Sequence, residues 1–127
     1  MDIHDLTQEM HRFVTAKGWY APESPRPQTP RNLAASLAIE AAEVLEHYQW
    51  DRTADPTELS GELADVALYL LQLASVTGID LEQAILDKLK VNYDREWPQP
   101  PSPDDDPSTA QRSAQDAVVR RGAGGEA

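Results

Sequence analysis

The chain has no cysteine among its 127 residues, so neither a disulfide framework nor a zinc–thiolate site can be built. Basic residues are scarce too: 11 Lys and Arg stand against 22 Asp and Glu, a formal net charge of -11. That balance argues against non-specific binding to nucleic acid or to an anionic membrane. Bound divalent cations would invert it locally, so one phosphorylated small molecule remains an admissible partner. The N-terminus lacks the charged and hydrophobic pattern of a secretory leader, and no apolar run reaches membrane-spanning length, the longest being 66–71. The expectation is one cytoplasmic domain with a modest core and no nucleic-acid or membrane partner.

Against this background the stretch 39–73 stands out. It holds one acidic pair, Glu40 and Glu43, then a turn, then a second pair, Glu62 and Asp65. The pairs are symmetric about the turn near Arg52, so a helical hairpin sets Glu40 opposite Asp65 and Glu43 opposite Glu62. Four carboxylates then meet at one level of a bundle. Arg52 is the only Lys or Arg in the stretch and lies in the turn, so local ion pairs cannot satisfy them.

The rest of the chain reads as helices joined by strong stop signals. Asp2 caps a first helix over about 3–17, whose Ile3, Leu6, Met10, Phe13 and Val14 recur at helical spacing before Gly18 ends it. On it, His4 and His11 read as surface residues. The segment 18–30 is a loop punctuated by four prolines, with Trp19 and Tyr20 at its start. These two either plug the bundle end, or an aromatic of this loop stacks on a nucleobase.

Thr29 and Pro30 then open a second helix expected to reach about Trp50, with Leu33, Leu37, Ala41, Val44 and Tyr48 on one stripe. Glu40 lies at the edge of that stripe and Glu43 about 60° further round, with apolar Ile39 and Trp50 beyond. The acids thus run in a strip flanked by apolar residues on both sides, unlike a solvated charged face.

Asp55, Pro56 and Glu58 give the start signature of a third helix. From 63 to 74 only Asp65 and Gln72 are strongly polar, so this helix is expected to be buried on several sides. A chain this small has few elements to cover it, which implies a homo-oligomer. Gly78 ends the helix, and Asp80 with Gln83 starts a fourth, whose end carries Lys88, Lys90, Asn92 and Arg95. Composition changes at Pro98. The part from 99 to 127, rich in Pro, Asp and Gly, is expected to be a disordered tail with at most a transient helix over 109–121.

A single Glu-x-x-Glu is usually a solvated face. Here Asp65 sits inside an apolar helix, where an unpaired carboxylate would cost several kcal/mol. The alternatives are neutralised acids or a bound cation. All-oxygen ligands without cysteine favour Mg²⁺, with Mn²⁺ second. The Glu-x-x-His motifs of a di-iron bundle are absent, Glu43 and His47 having the wrong spacing. Hard cations on carboxylates bind phosphates and activate water for attack on phosphorus.

Glu40-Ala41-Ala42-Glu43 and Glu62-Leu63-Ala64-Asp65 resemble the paired motifs of the MazG-type all-α nucleoside triphosphate pyrophosphohydrolases. Within that family the short dCTP pyrophosphatase group is similar in further places. These are Pro30-Arg31-Asn32-Leu33, Glu46 followed by Gln49-Trp50, Asp65-Val66 with Tyr69, and Lys88 with Asn92 and Arg95. The resemblance covers about 6–98.

It implies an all-α four-helix bundle completed as a homodimer or homotetramer, with 1–98 as the catalytic domain. It also implies hydrolysis of a (deoxy)nucleoside triphosphate to monophosphate and pyrophosphate. Glu40, Glu43, Glu62 and Asp65 would hold the cation, and Glu43 or Glu46 would serve the attacking water. Lys88 and Arg95 would contact phosphates, while Trp19, Trp50, Tyr69 and Asn92 would line the base and sugar pocket. The chain departs from the mammalian members at Gln28, where they have a histidine, in a longer Pro-rich loop. Dimeric dUTPase-like enzymes and phosphoribosyl-ATP pyrophosphohydrolases are alternatives of the same class. A non-catalytic metal-binding helical module is an alternative of another.

Overall fold

The computed structural model describes residues 1–99. Among them the chain is all-α: α1 (Ile3–Ala16), α2 (Pro30–Glu46), α3 (Pro56–Val76) and α4 (Leu81–Asp94). Met1–Tyr93 forms one unit and a second begins at Asp94. In that second unit the Arg95 guanidinium stands 4.4 Å over the Trp97 ring. The expected tail and its transient helix lie, from residue 100 on, outside the described residues.

The start signals act as the sequence suggests. Asp2 accepts from the Asp5 amide and Asp5 reciprocates, closing a capping box. The Thr29 side chain accepts from the Asn32 amide ahead of Pro30, and Asp55 accepts from the amides of Thr57 and Glu58 ahead of Pro56. Gly18 and Gly78, just past α1 and α3, take φ of 71° and 73°, a left-handed conformation that costs glycine nothing. One boundary differs from expectation. α2 ends at Glu46, four residues short of Trp50, in a run of turns from His47 that reverses the chain.

α2 and α3 pack against each other most extensively, and α1 lies on α3. The core is small: Met10 and Val14 from α1, Leu33 from α2, and Leu71 and Ala74 from α3. Leu33, at 2% exposure, is its most enclosed side chain, and its burial is worth about 2 kcal/mol. α4 contributes no buried residue and packs little on the others.

Two expectations about α3 need correction. It was expected to be buried on several sides, yet Leu63, Leu68 and Leu70 are exposed, because only α1 and α2 cover it. No segment was expected to reach membrane-spanning length, but α3 is long and apolar enough by length and composition. α1 and α2 pack on it, and Glu62 and Asp65 interrupt its apolar run.

Candidate active site

The hairpin of α2 and α3 brings the acids together. Glu40, Glu62 and Asp65 each offer a carboxylate oxygen within 4.8 Å of the other two. Glu43, whose charge acts on Glu40, completes the group. Loss of water raises the Glu40 carboxyl above the usual carboxylate range, and the charge of Glu43, its hydrogen bond, Asp65 and Glu62 raise it further. Glu40 therefore holds a proton more readily than an isolated glutamate. No cationic group contributes to that balance.

Asp65 is exposed, and its three partners are part-buried. Burial therefore does not force a partner on Asp65 in a single chain, since one side of α3 is open. Convergence takes its place. Like charges gathered within a few ångströms, with no lysine or arginine among them, fit a divalent cation, whose charge removes the repulsion that raises Glu40. The ligand atoms are hard oxygens throughout.

His47, set aside at the sequence level, caps α2 and puts Nε2 3.6 Å from Glu62 Oε1. With Glu43, Glu46 and Glu62 it lines an open cleft of about 270 Å³. The spacing that rules out a di-iron motif still puts His47 one turn after Glu43, on the same face. That was the available signal. Glu46 is exposed on the cleft wall.

On the other side of Asp65 lies a second cleft, about 210 Å³, bounded by Phe13, Trp19, Leu68, Tyr69 and Gln72. A third, about 230 Å³, shares Trp19 and Tyr69 and extends to Gln28, Asn32 and Ser36. Trp19 meets Phe13 edge-on at 5.5 Å, and the Arg26 guanidinium stands 5.3 Å from its ring. These two contacts hold its indole in the wall shared by the two clefts. Asn32 ties down the Pro-rich loop by donating to the Pro27 carbonyl at 2.9 Å.

Beneath this cleft runs a polar chain that the sequence did not announce. His11 Nδ1 is 2.6 Å from the Tyr20 hydroxyl, and His11 Nε2 is 2.7 Å from Ser75 Oγ. Gln72 Nε2 donates to the Tyr20 hydroxyl at 3.2 Å and to Gln28 Oε1 at 2.8 Å. Burial raises the Tyr20 phenol above its usual range, with the Gln72 bond acting in the opposite sense, so Tyr20 stays protonated. Gln72 is 3% exposed. Its isolation in an apolar helix was the one visible sign of this network.

The remaining expected site residues lie outside α2 and α3. Trp50 is 89% exposed, beyond the end of α2. Lys88 and Asn92 ride on α4, which packs little on the other helices. Arg95 follows α4, against Trp97.

Comparison with known proteins bears on the same residues. The model of the MazG-like family matches residues 35–101, which include all four acids. A dCTP pyrophosphatase 1 of Rattus norvegicus is 36% identical over 103 residues, covering 73% of this chain and 58% of the relative. The chain thus spans under two thirds of that curated relative's length. A dATP/dGTP diphosphohydrolase of Cyanophage S-2L is 35% identical over 79 residues, covering 62% of this chain and 68% of the relative. Among solved structures, a pyrophosphatase from Archaeoglobus fulgidus superposes with a TM-score of 0.62 at 34% identity, covering 76% of this chain and 92% of that one.

Proposed function

The chain belongs to the MazG-like family, and from that premise we propose that it is a Mg²⁺-dependent pyrophosphohydrolase of deoxynucleoside triphosphates. dCTP or a modified relative is the favoured substrate, and the reaction serves to clear the nucleotide pool. The observation that carries this reading is the convergence of Glu40, Glu43, Glu62 and Asp65 beside a cleft walled by Trp19 and Tyr69. Asp65 lines that cleft as well as joining the acids, so a nucleotide stacked there would hold its triphosphate over the carboxylates.

Glu40, Glu43, Glu62 and Asp65 are the residues that would hold the cation, with Mn²⁺ able to replace Mg²⁺. When bound, a divalent ion at such a site neutralises phosphate oxygens and acidifies water. The chain's own residues do the rest. Trp19 and Tyr69 stack and orient the base. Glu43 or Glu46 takes the proton of the attacking water. Water oxygen bonds to the α-phosphorus, the α–β bridging bond breaks, and pyrophosphate leaves with the electron pair. Lys88 and Arg95 contact the phosphates, and Trp50 and Asn92 the sugar and base, once the open faces of the bundle are covered by another copy. The catalytic domain is residues 1–98, with 99–127 an appended tail.

A purine deoxynucleotide is the second reading, supported by the likeness to the phage diphosphohydrolase. A non-catalytic metal-binding module is the contrary one. Mn²⁺ binding followed by electron paramagnetic resonance, together with dNTP turnover, separates them. Wild type should bind Mn²⁺ and release monophosphate. Glu40→Gln and Asp65→Asn should lose most of the binding. Glu43→Gln should lower turnover by about two orders of magnitude or more with the helical content unchanged. Mn²⁺ binding without turnover of any nucleotide supports the module, and unaltered turnover in Glu43→Gln contradicts the assignment.

A further inference from the structure

Gln28 lines the cleft that Trp19 and Tyr69 share, and its amide is held at both ends. Its Nε2 donates to the Arg26 carbonyl at 2.7 Å, and a carbonyl can only accept. Its Oε1 accepts from Gln72 Nε2. The two bonds fix each other's sense, because turning the Gln28 amide over would set oxygen against the Arg26 oxygen and NH₂ against the NH₂ of Gln72. Gln72 is fixed in turn. Its other N–H goes to the Tyr20 hydroxyl, which leaves the phenolic proton for His11 Nδ1, and His11 Nε2–H for Ser75 Oγ. The donors therefore branch at Gln72, one arm ending on Gln28 in the loop and the other passing through Tyr20 and His11 to Ser75 on α3.

This matters because a free glutamine reads no base by itself. Cytosine and adenine present a ring-nitrogen acceptor beside an amino donor. Thymine and guanine present a carbonyl acceptor beside a ring N–H donor, in the opposite order. A rotating amide suits either order, whereas a pinned one suits only one. Gln28 retains one N–H and one lone pair after its two internal bonds, so its amide still has a donor and an acceptor to offer a base.

We propose that Gln28 determines base specificity in this site and that Gln72, anchored through Tyr20 and His11, is the positioning residue that fixes its amide. The substrates then divide into amino-base and keto-base nucleotides, only one class being accepted well. This rests on the nucleotide pyrophosphohydrolase reading, and its test does not require turnover.

The test is calorimetric binding of the α,β-imido analogues of dCTP, dATP, dTTP and dGTP with Mg²⁺, to the full chain. Wild type should separate the two classes by roughly tenfold or more, the worth of one good bidentate contact. Gln28→Ala should reduce that ratio to near one. Gln72→Leu, which leaves the Gln28 amide held by the Arg26 carbonyl alone, should lower the ratio while changing the mean affinity less. Tyr20→Phe, should Gln72→Leu fail to fold, should reduce the ratio partially. A merely structural Gln72 would lower all four affinities together and preserve the ratio, which would overturn the proposal. So would a wild type that binds both classes equally. Binding with the expected ratio but no hydrolysis of the natural nucleotides would sink the catalytic reading and uphold this one.

Discussion

At Glu40 two unfavourable effects add: partial removal from water, and three neighbouring carboxyl groups led by Glu43. Both favour the protonated form, so the folded-state pKa lies above that of the unfolded chain. The sign follows from linkage. Between the ordinary carboxylate value and the raised one, the folded protein binds more protons than the unfolded one. Its stability therefore falls as pH rises through that window, and recovers on acidification into it. Metal-free protein should accordingly show a thermal midpoint that rises as pH is lowered from neutrality into that window. Glu40→Gln should remove that part of the slope, and Mg²⁺ should oppose it by favouring the ionised form. Identical slopes in wild type and variant would show that the cluster carries no such strain.

The same scale shows what could and could not be read in advance. The four acids were legible because symmetric spacing about a turn is a property of the chain itself. The Gln28–Gln72–Tyr20–His11 chain was not, because its bonds join residues far apart in sequence and each member looks ordinary alone. Gln72 was noticed as a polar interruption, but nothing in its neighbours named a partner.

Among the elements, α4 is the least accounted for by one chain. A 14-residue helix is marginal in water without tertiary packing. Yet Ile85, Leu86 and Leu89 are all exposed here, as are Leu63, Leu68 and Leu70 on α3. We propose that further copies of this chain cover these faces. Light scattering should then give a dimer or tetramer, and Leu89→Glu should shift it toward monomer with loss of helicity in α4. A monomeric wild type at micromolar concentration would contradict this. Helix starts and stops were legible because capping residues and glycines act locally. The premature end of α2 was not. The apolar pattern runs on to Trp50, while the chain reverses after Glu46 and sets His47 against Glu62. Tertiary closure of the hairpin overrides the local pattern there.

For the molecule as a whole, the strong negative charge and the acid cluster pull in apparently opposite directions from a phosphate-bearing substrate. A cation-loaded site reconciles them, since the rest of the acidic surface then repels polyanions that lack such a site. Among the described residues, the four helices were readable from apolar periodicity together with the cap and glycine signals. The openness on α3 and α4 was not, because sequence pattern reports which faces are apolar and not what lies against them. If the four carboxylates serve cleavage between the α- and β-phosphates, ³¹P nuclear magnetic resonance of dCTP and dATP incubated with the full chain and Mg²⁺ should show it. The signals of the monophosphate and of pyrophosphate should grow together and be absent in Glu43→Gln. Diphosphate with orthophosphate, or no change in the spectrum of any nucleotide, would contradict it.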